Sequence, residues 1–140
     1  MAIDLGDVRT GVAICDKLEM LAVPLCTIYQ PDLKMLLTEI VILVKENTAE
    51  LLVLGIPKHL NSMDGVRAQK STSFAKLLKD ASGLPVVLWD ERLTTVLANR
   101  LLTSNDKCGK KRKKLVDVVT AVLILESYLE FRKNQANSEG

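Results

Sequence analysis

The spacing of apolar positions changes partway along the chain. Up to about residue 30 the apolar residues come in short runs broken by glycine, aspartate or proline: Met1–Asp4, Gly11–Cys15 and Leu21–Ile28. Runs of this kind read as strands. Gly6–Thr10 is the turn between the first two, and Gly11 permits a close backbone approach. Pro24 lies inside the third run and assigns it to a sheet edge, where a missing N–H is tolerated. The short connections predict an antiparallel meander. From Asp32 to Glu46 the spacing becomes helical, with Leu33, Leu36, Leu37, Ile40, Val41 and Val44 three and four apart.

The remaining apolar runs are continuous. Leu51–Leu54, closed by Gly55 and Pro57, reads as a strand buried on both faces, as in a parallel sheet. A polar loop over Lys58–Asp64 precedes a helix from about Val66 to Ala81, with Phe74, Leu77 and Leu78 inward and Gly83 capping its end. Pro85 opens a second buried strand, Val86–Trp89. Thr94 or Thr95 can cap a short helix through Leu102, and a basic loop, Lys107–Lys114, leads to a last helix from Leu115 to about Arg132. The predicted class is α/β: a five-stranded mixed sheet, three meander strands and then parallel ones, flanked by helices. Residues 1–133 form one domain, and the polar residues 134–140 form a disordered tail.

Composition narrows the function classes. A chain of 140 residues, 48% hydrophobic and 26% charged, suits one globular domain with a real core. No apolar run reaches the roughly 18 residues of a membrane helix, and the first residues lack the basic and apolar regions of a signal peptide. Cys15, Cys26 and Cys108 are odd in number and without motif spacing, which argues for reduced thiols in a cytoplasmic protein. His59 is the only histidine, which argues against a histidine-based zinc site. With a net charge of +2, any binding of nucleic acid must come from local charge.

Three acids stand out. Asp4 ends the first strand, Glu91 lies just past the last strand, and Asp117 occupies the first turn of the last helix. In open sheets, sites form at the carboxyl ends of parallel strands, so Asp4 and Glu91 can share an edge. The segment Leu115–Leu125 is apolar almost all round, so its helix is buried and a lone carboxylate in it needs a partner. Thr120 and Ala121 share the face of Asp117 and are small enough to leave room for an ion and a phosphate. Three acids without histidine point to Mg²⁺ or Mn²⁺, and such ions can activate water and stabilise the leaving oxygen of a phosphodiester. Each acid alone also has an ordinary reading. Asp4 can be a turn residue, Asp117 can favour the helix dipole, and Glu91 can pair with Arg92 or Arg9. Asp90 is the reserve for the second acid.

Asp4-Leu5-Gly6 with Arg9 and Gly11-Val12-Ala13, Gly55-Ile56-Pro57-Lys58, Asp90-Glu91-Arg92-Leu93-Thr94-Thr95, and Asp117 with Ala121-Val122 and Ile124-Leu125 resemble the YqgF family over nearly the whole chain. The resemblance implies a ribonuclease H-like fold related to Holliday junction resolvases. It implies a nuclease that matures the 5′ end of pre-16S ribosomal RNA in ribosome biogenesis. It also implies that Asp4, Glu91 and Asp117 are the catalytic, metal-binding triad. Val8, Cys15, Ser62 and Thr120 depart from the family pattern without removing an acid, Ser62 bearing on the Lys58–Gly65 loop, and the first strand is shorter than usual.

Basic and polar residues surround the acids. Lys110, Lys111, Arg112, Lys113 and Lys114 form a dense run before Asp117, readable as a solvated segment or as a clamp on the phosphate backbone. Arg9 can contact a phosphate, or pair with Asp7, Asp16 or Glu91. Lys58, His59 and Asn61 can touch nucleic acid or form an ordinary polar loop, and Arg67 is a weaker phosphate candidate. Trp89 reads as core in preference to a stacking platform. The leading expectation is a Mg²⁺- or Mn²⁺-dependent endonuclease acting on precursor rRNA, free or in a ribosomal assembly particle, as a monomer or homodimer. The rivals are a resolvase-like enzyme on branched DNA, a non-catalytic RNA-binding factor, and a sugar-kinase or actin-like ATPase half, which 140 residues do not complete.

Overall fold

The computed structural model describes residues 1–19, 21–56, 62–90 and 109–139, with the side chains of 62–64, 66, 67, 109–117 and 136–139 outside that description. In chain order the elements are β1 (Ala2–Asp4), β2 (Arg9–Cys15), β3 (Ala22–Tyr29), α1 (Leu33–Glu46), β4 (Leu52–Ile56), α2 (Ser62–Ser82), β5 (Val86–Asp90) and, last, α3 (Gly109–Glu139). The strands form one sheet in the order β3-β2-β1-β4-β5. The first three pair antiparallel, and β4 lies parallel to both β1 and β5. The mixed five-stranded sheet is therefore as predicted. Pro24 does lie on an edge strand, beside a bulge: Val12 pairs with Cys26 and Ala13 with Pro24, leaving Leu25 as the extra residue.

Side-chain alternation sorts the sheet into two cores. Ile3, Val12, Leu52 and Leu54 pack with Leu36, Ile40 and Val44 of α1 and with Phe74 and Leu78 of α2. Ala2, Ala13, Ala22 and Val53 pack on the other face with Ala121, Ile124, Leu125 and Tyr128 of α3. The small residues of β1 and β2 on this second face let α3 lie close to the sheet centre. Asp32 caps α1 by accepting from the backbone N–H groups of Lys34 and Met35 at 2.9 and 3.3 Å.

Both long helices differ from expectation at their ends. α2 begins at Ser62, so residues 62–65 are helical where a loop was predicted. One glycine at position 65 costs about 1 kcal/mol against alanine, too little to stop a 21-residue helix. Gly65 is exposed, and a Cβ there would meet no heavy atom within 4 Å. Gly65→Ala is therefore expected to stabilise the protein by about 1 kcal/mol. A urea midpoint that fails to rise would contradict a helical residue 65.

The backbone of α3 likewise starts at Gly109, which corrects the basic loop: residues 110–114 form its first turns. Lysine and arginine are good helix formers, and nothing between Gly109 and Leu115 breaks the pattern. The helix also continues to Glu139, through the residues expected to be a disordered tail, with no proline or glycine before Gly140 to end it. The helix expected from Thr94 or Thr95 to Leu102 lies outside the described residues. Among the described residues, no helix is long and apolar enough to cross a membrane.

Candidate active site

Asp4 is the last residue of β1 and pairs with Gly11. Ala2 belongs to the core beneath α3 and Ile3 to the opposite core, so alternation returns Asp4 to the α3 side. Gly11 presents no side chain beside it. Thr27 is the next residue in that cross-strand row. Arg9, two residues before Gly11, shares its face one step further out and pairs with Tyr29. Lys70 of α2 grips Asp7 in the intervening turn at 3.0 Å. That exposed pair is worth no more than about 1 kcal/mol.

The direction of α3 follows from its far end. Arg132 pairs with Glu19 at 2.9 Å, just beyond the last residue of β2. Because β2 and β1 are antiparallel, this is the amino edge of β1. Position 117 lies 15 residues earlier, roughly 22 Å along the axis, and thus toward the carboxyl edge that holds Asp4. It is one turn before Ala121, which is fully buried in the core with Ala2. On β5, Val87 and Trp89 pack toward α3, so Asp90 alternates to the opposite face.

Of the predicted acids, the structure thus sets Asp4 on the α3 side of the carboxyl edge and the backbone of Asp117 on the helix approaching it. Glu91 lies outside the described residues, as do Lys58, His59, Asn61 and the side chains of Asp117, Arg67, Lys110, Lys111, Arg112, Lys113 and Lys114. Among the described residues no three potential ligands form a metal cluster.

Three buried hydroxyls have no hydrogen-bond partner for their Oγ1 among the described residues: Thr10, which alternates to the face away from α3, and, on the α3 side, Thr27 and Thr120, the last only 2% exposed. The last two bear on whether this region suits a hard divalent ion. A buried oxygen left alone costs about 1–3 kcal/mol, so both are suited to meet water or a hydrated ion. The donors are all oxygen, which fits Mg²⁺ or Mn²⁺. Nothing in the sequence pattern marks Thr27, which reads as one more strand residue.

Of the cysteines, Cys15 and Cys26 lie among the described residues, and neither supplies competing chemistry. Burial pushes the Cys15 and Cys26 thiols up from their usual range, so both stay protonated and weakly nucleophilic at neutral pH. A cavity of about 670 Å³ opens at the amino edge, among Cys15, Glu19, Leu51, Leu129 and Arg132, away from Asp4. Trp89 is half-buried and gives its indole N–H to Ser127 Oγ at 3.1 Å, more a fastening than the simple core residue expected.

The fold and its relatives agree. A structure described as Thermus thermophilus RuvC in complex with a Holliday junction substrate superposes with a TM-score of 0.62, over 94% of this chain and 93% of that one, at 12% identity. That likeness establishes a shared fold. A protein of Listeria innocua named "Putative pre-16S rRNA nuclease" is 42% identical over 132 residues, covering 93% of this chain and 96% of the relative. Proteins of the same name from Thermoanaerobacter pseudethanolicus and Bacillus subtilis are 40% and 39% identical, over 96% and 93% of this chain and 98% and 96% of theirs. The model of the RuvX family, described as Holliday junction resolvase, matches residues 1–131. Matched by this family model over residues 1–131, and by relatives along almost their whole length, the chain belongs to the RuvX family.

Proposed function

We propose that this protein, a phosphodiester hydrolase by its family, is a Mg²⁺- or Mn²⁺-dependent endonuclease of the cytoplasm that matures the 5′ end of pre-16S rRNA. The observation that carries the reading is the convergence on one sheet edge. Asp4 stands on the α3 side beside the bare Gly11, and the helix bearing Asp117 runs toward it. Val87 and Trp89 face α3 and Asp90 alternates away from it, which supports Glu91 over Asp90 as the third acid. Asp4, Glu91 and Asp117 would hold the ion, which when bound supplies charge stabilisation and an activated water.

The remaining residues handle the substrate. Lys110, Lys111, Arg112, Lys113 and Lys114 place five cations in the first turns of α3, ahead of Asp117, which lies eight residues inside the helix. Together they draw the phosphate backbone without reading its sequence. Arg9 neutralises a flanking phosphate, and Lys58 and Asn61 border the strand being cut.

The family model's description favours a second reading, in which the same acids cut branched DNA. A symmetric junction calls for two sites, so a homodimer would accompany that reading and a monomer would suit RNA. The test is cleavage of a labelled pre-16S 5′-leader RNA, free and in a precursor ribosomal particle, beside a four-way DNA junction, with Mg²⁺ or Mn²⁺. Specific RNA cutting supports the proposal. Cutting of the junction alone transfers the site to DNA. RNA binding without cutting of either form leaves a non-catalytic RNA-binding factor.

A further inference from the structure

Trp89 adds a directional tie between β5 and α3 to the packing that Val87 makes with the same helix core. The Trp89 indole N–H donates to Ser127 Oγ at 3.1 Å. Its ring stands edge-on to Tyr128, with centroids 5.4 Å apart at 84°, and tilted against Phe131 at 5.3 Å and 59°. Both ring contacts are within the favourable range for aromatic pairs. One side chain therefore contributes packing and a directional hydrogen bond, and both end on the same helix.

The position of this joint in the sequence matters. Glu91 follows Trp89 by two residues, and Asp117 precedes Ser127 by ten on one continuous helix. We infer that Trp89 is a positioning residue: its tie to Ser127 sets the spacing between the end of β5 and α3, and so the divalent-ion affinity of the site. The inference rests on the reading of Glu91 and Asp117 as ligands. Mg²⁺ demands near-octahedral oxygen donors at about 2.0–2.1 Å, so a small slide of β5 along α3 would spoil the ligand set while leaving both cores packed.

Titration with Mn²⁺, following the free ion by electron paramagnetic resonance and without nucleic acid, tests this. Trp89→Phe keeps a ring and loses the N–H, and Ser127→Ala loses the acceptor. Each is expected to weaken Mn²⁺ binding about 10-fold, the low end of the cost of disturbing how metal ligands are oriented. The double variant should be no worse than either single one, because both remove the same bond. Ser127→Thr, which retains a hydroxyl, should restore the affinity. Asp117→Asn runs alongside and should lose most binding. Wild-type affinity in Trp89→Phe and Ser127→Ala, with loss in Asp117→Asn, would overturn the inference and leave Trp89 as packing alone. Wild-type affinity in Asp117→Asn would bring down the ligand reading first, and this inference with it. Should Trp89→Phe fail to fold, Ser127→Ala decides the question by itself.

Discussion

Asp4→Asn is expected to leave RNA bound and uncut. Asparagine keeps the shape of the side chain and the strand pairing with Gly11, and removes only the charge. Positioning and charge stabilisation do most of the work in phosphoryl chemistry, and losing one such group commonly costs about 10²–10³ in rate, or about 3–4 kcal/mol. Asp4 and Asp117 serve one ion in this reading, so Asp117→Asn should show a similar loss and the double variant little more. Binding of RNA should persist, because in this reading it rests on Arg9 and the basic start of α3.

Stability gives a second readout of the same substitution. An ion that binds only the folded protein stabilises it by about 2.7 kcal/mol at one hundred times its dissociation constant. Wild type should therefore melt higher as Mn²⁺ is added, and Asp4→Asn should not. Without metal the order should reverse or level, because asparagine relieves repulsion among neighbouring carboxylates. Equal cutting by wild type and Asp4→Asn, or equal Mn²⁺-induced shifts in melting temperature, would remove Asp4 from the site.

How far the sequence is readable depends on which physical signal dominates at each place. The sheet was legible because burial dictates its pattern: β4 is buried at every position and reads as an unbroken apolar run, while Pro24 announces an edge by lacking an N–H. The starts of α2 and α3 were not. There polarity predicts loop, yet Ser62–Gly65 and residues 110–114 contain nothing that forbids a helix, and propensity with continuation from the packed turns prevails. Asp4 was legible from its place after an apolar run and before a glycine turn. Its side of the sheet was not, because this depends on which core Ala2 and Ile3 join. Trp89 shows a similar limit. Its apolar neighbours predict burial, but the Ser127 hydroxyl that satisfies its N–H lies 38 residues away and leaves no local trace.

Gly6→Ala should damage both stability and cleavage, in contrast to Gly65→Ala. A Cβ at Gly6 would overlap the carbonyl oxygen of Arg9 and lie 3.3 Å from its carbonyl carbon and 3.8 Å from its amide nitrogen. The obstacle is the backbone of the first residue of β2, which cannot swing aside as a side chain would. Either the turn opens or the β1–β2 pairing shifts. Forced repacking of this kind costs about 1–3 kcal/mol, a large share of the ~5–15 kcal/mol that holds a domain together. The same turn joins Asp4 to Arg9, so whichever way it yields, one of them moves. A displacement near 1 Å costs about 10²-fold in rate where geometry is critical. The expected result is a lowered urea midpoint with an unchanged denaturant slope, and cleavage reduced about 100-fold under conditions where the variant remains folded. Lost stability with full activity would mean that the turn and the catalytic edge are independent, and that the glycine serves only the fold. Wild-type values for both would mean that the β1–β2 turn accommodates a methyl group without cost, and the close approach at Gly6 would carry no structural requirement at all.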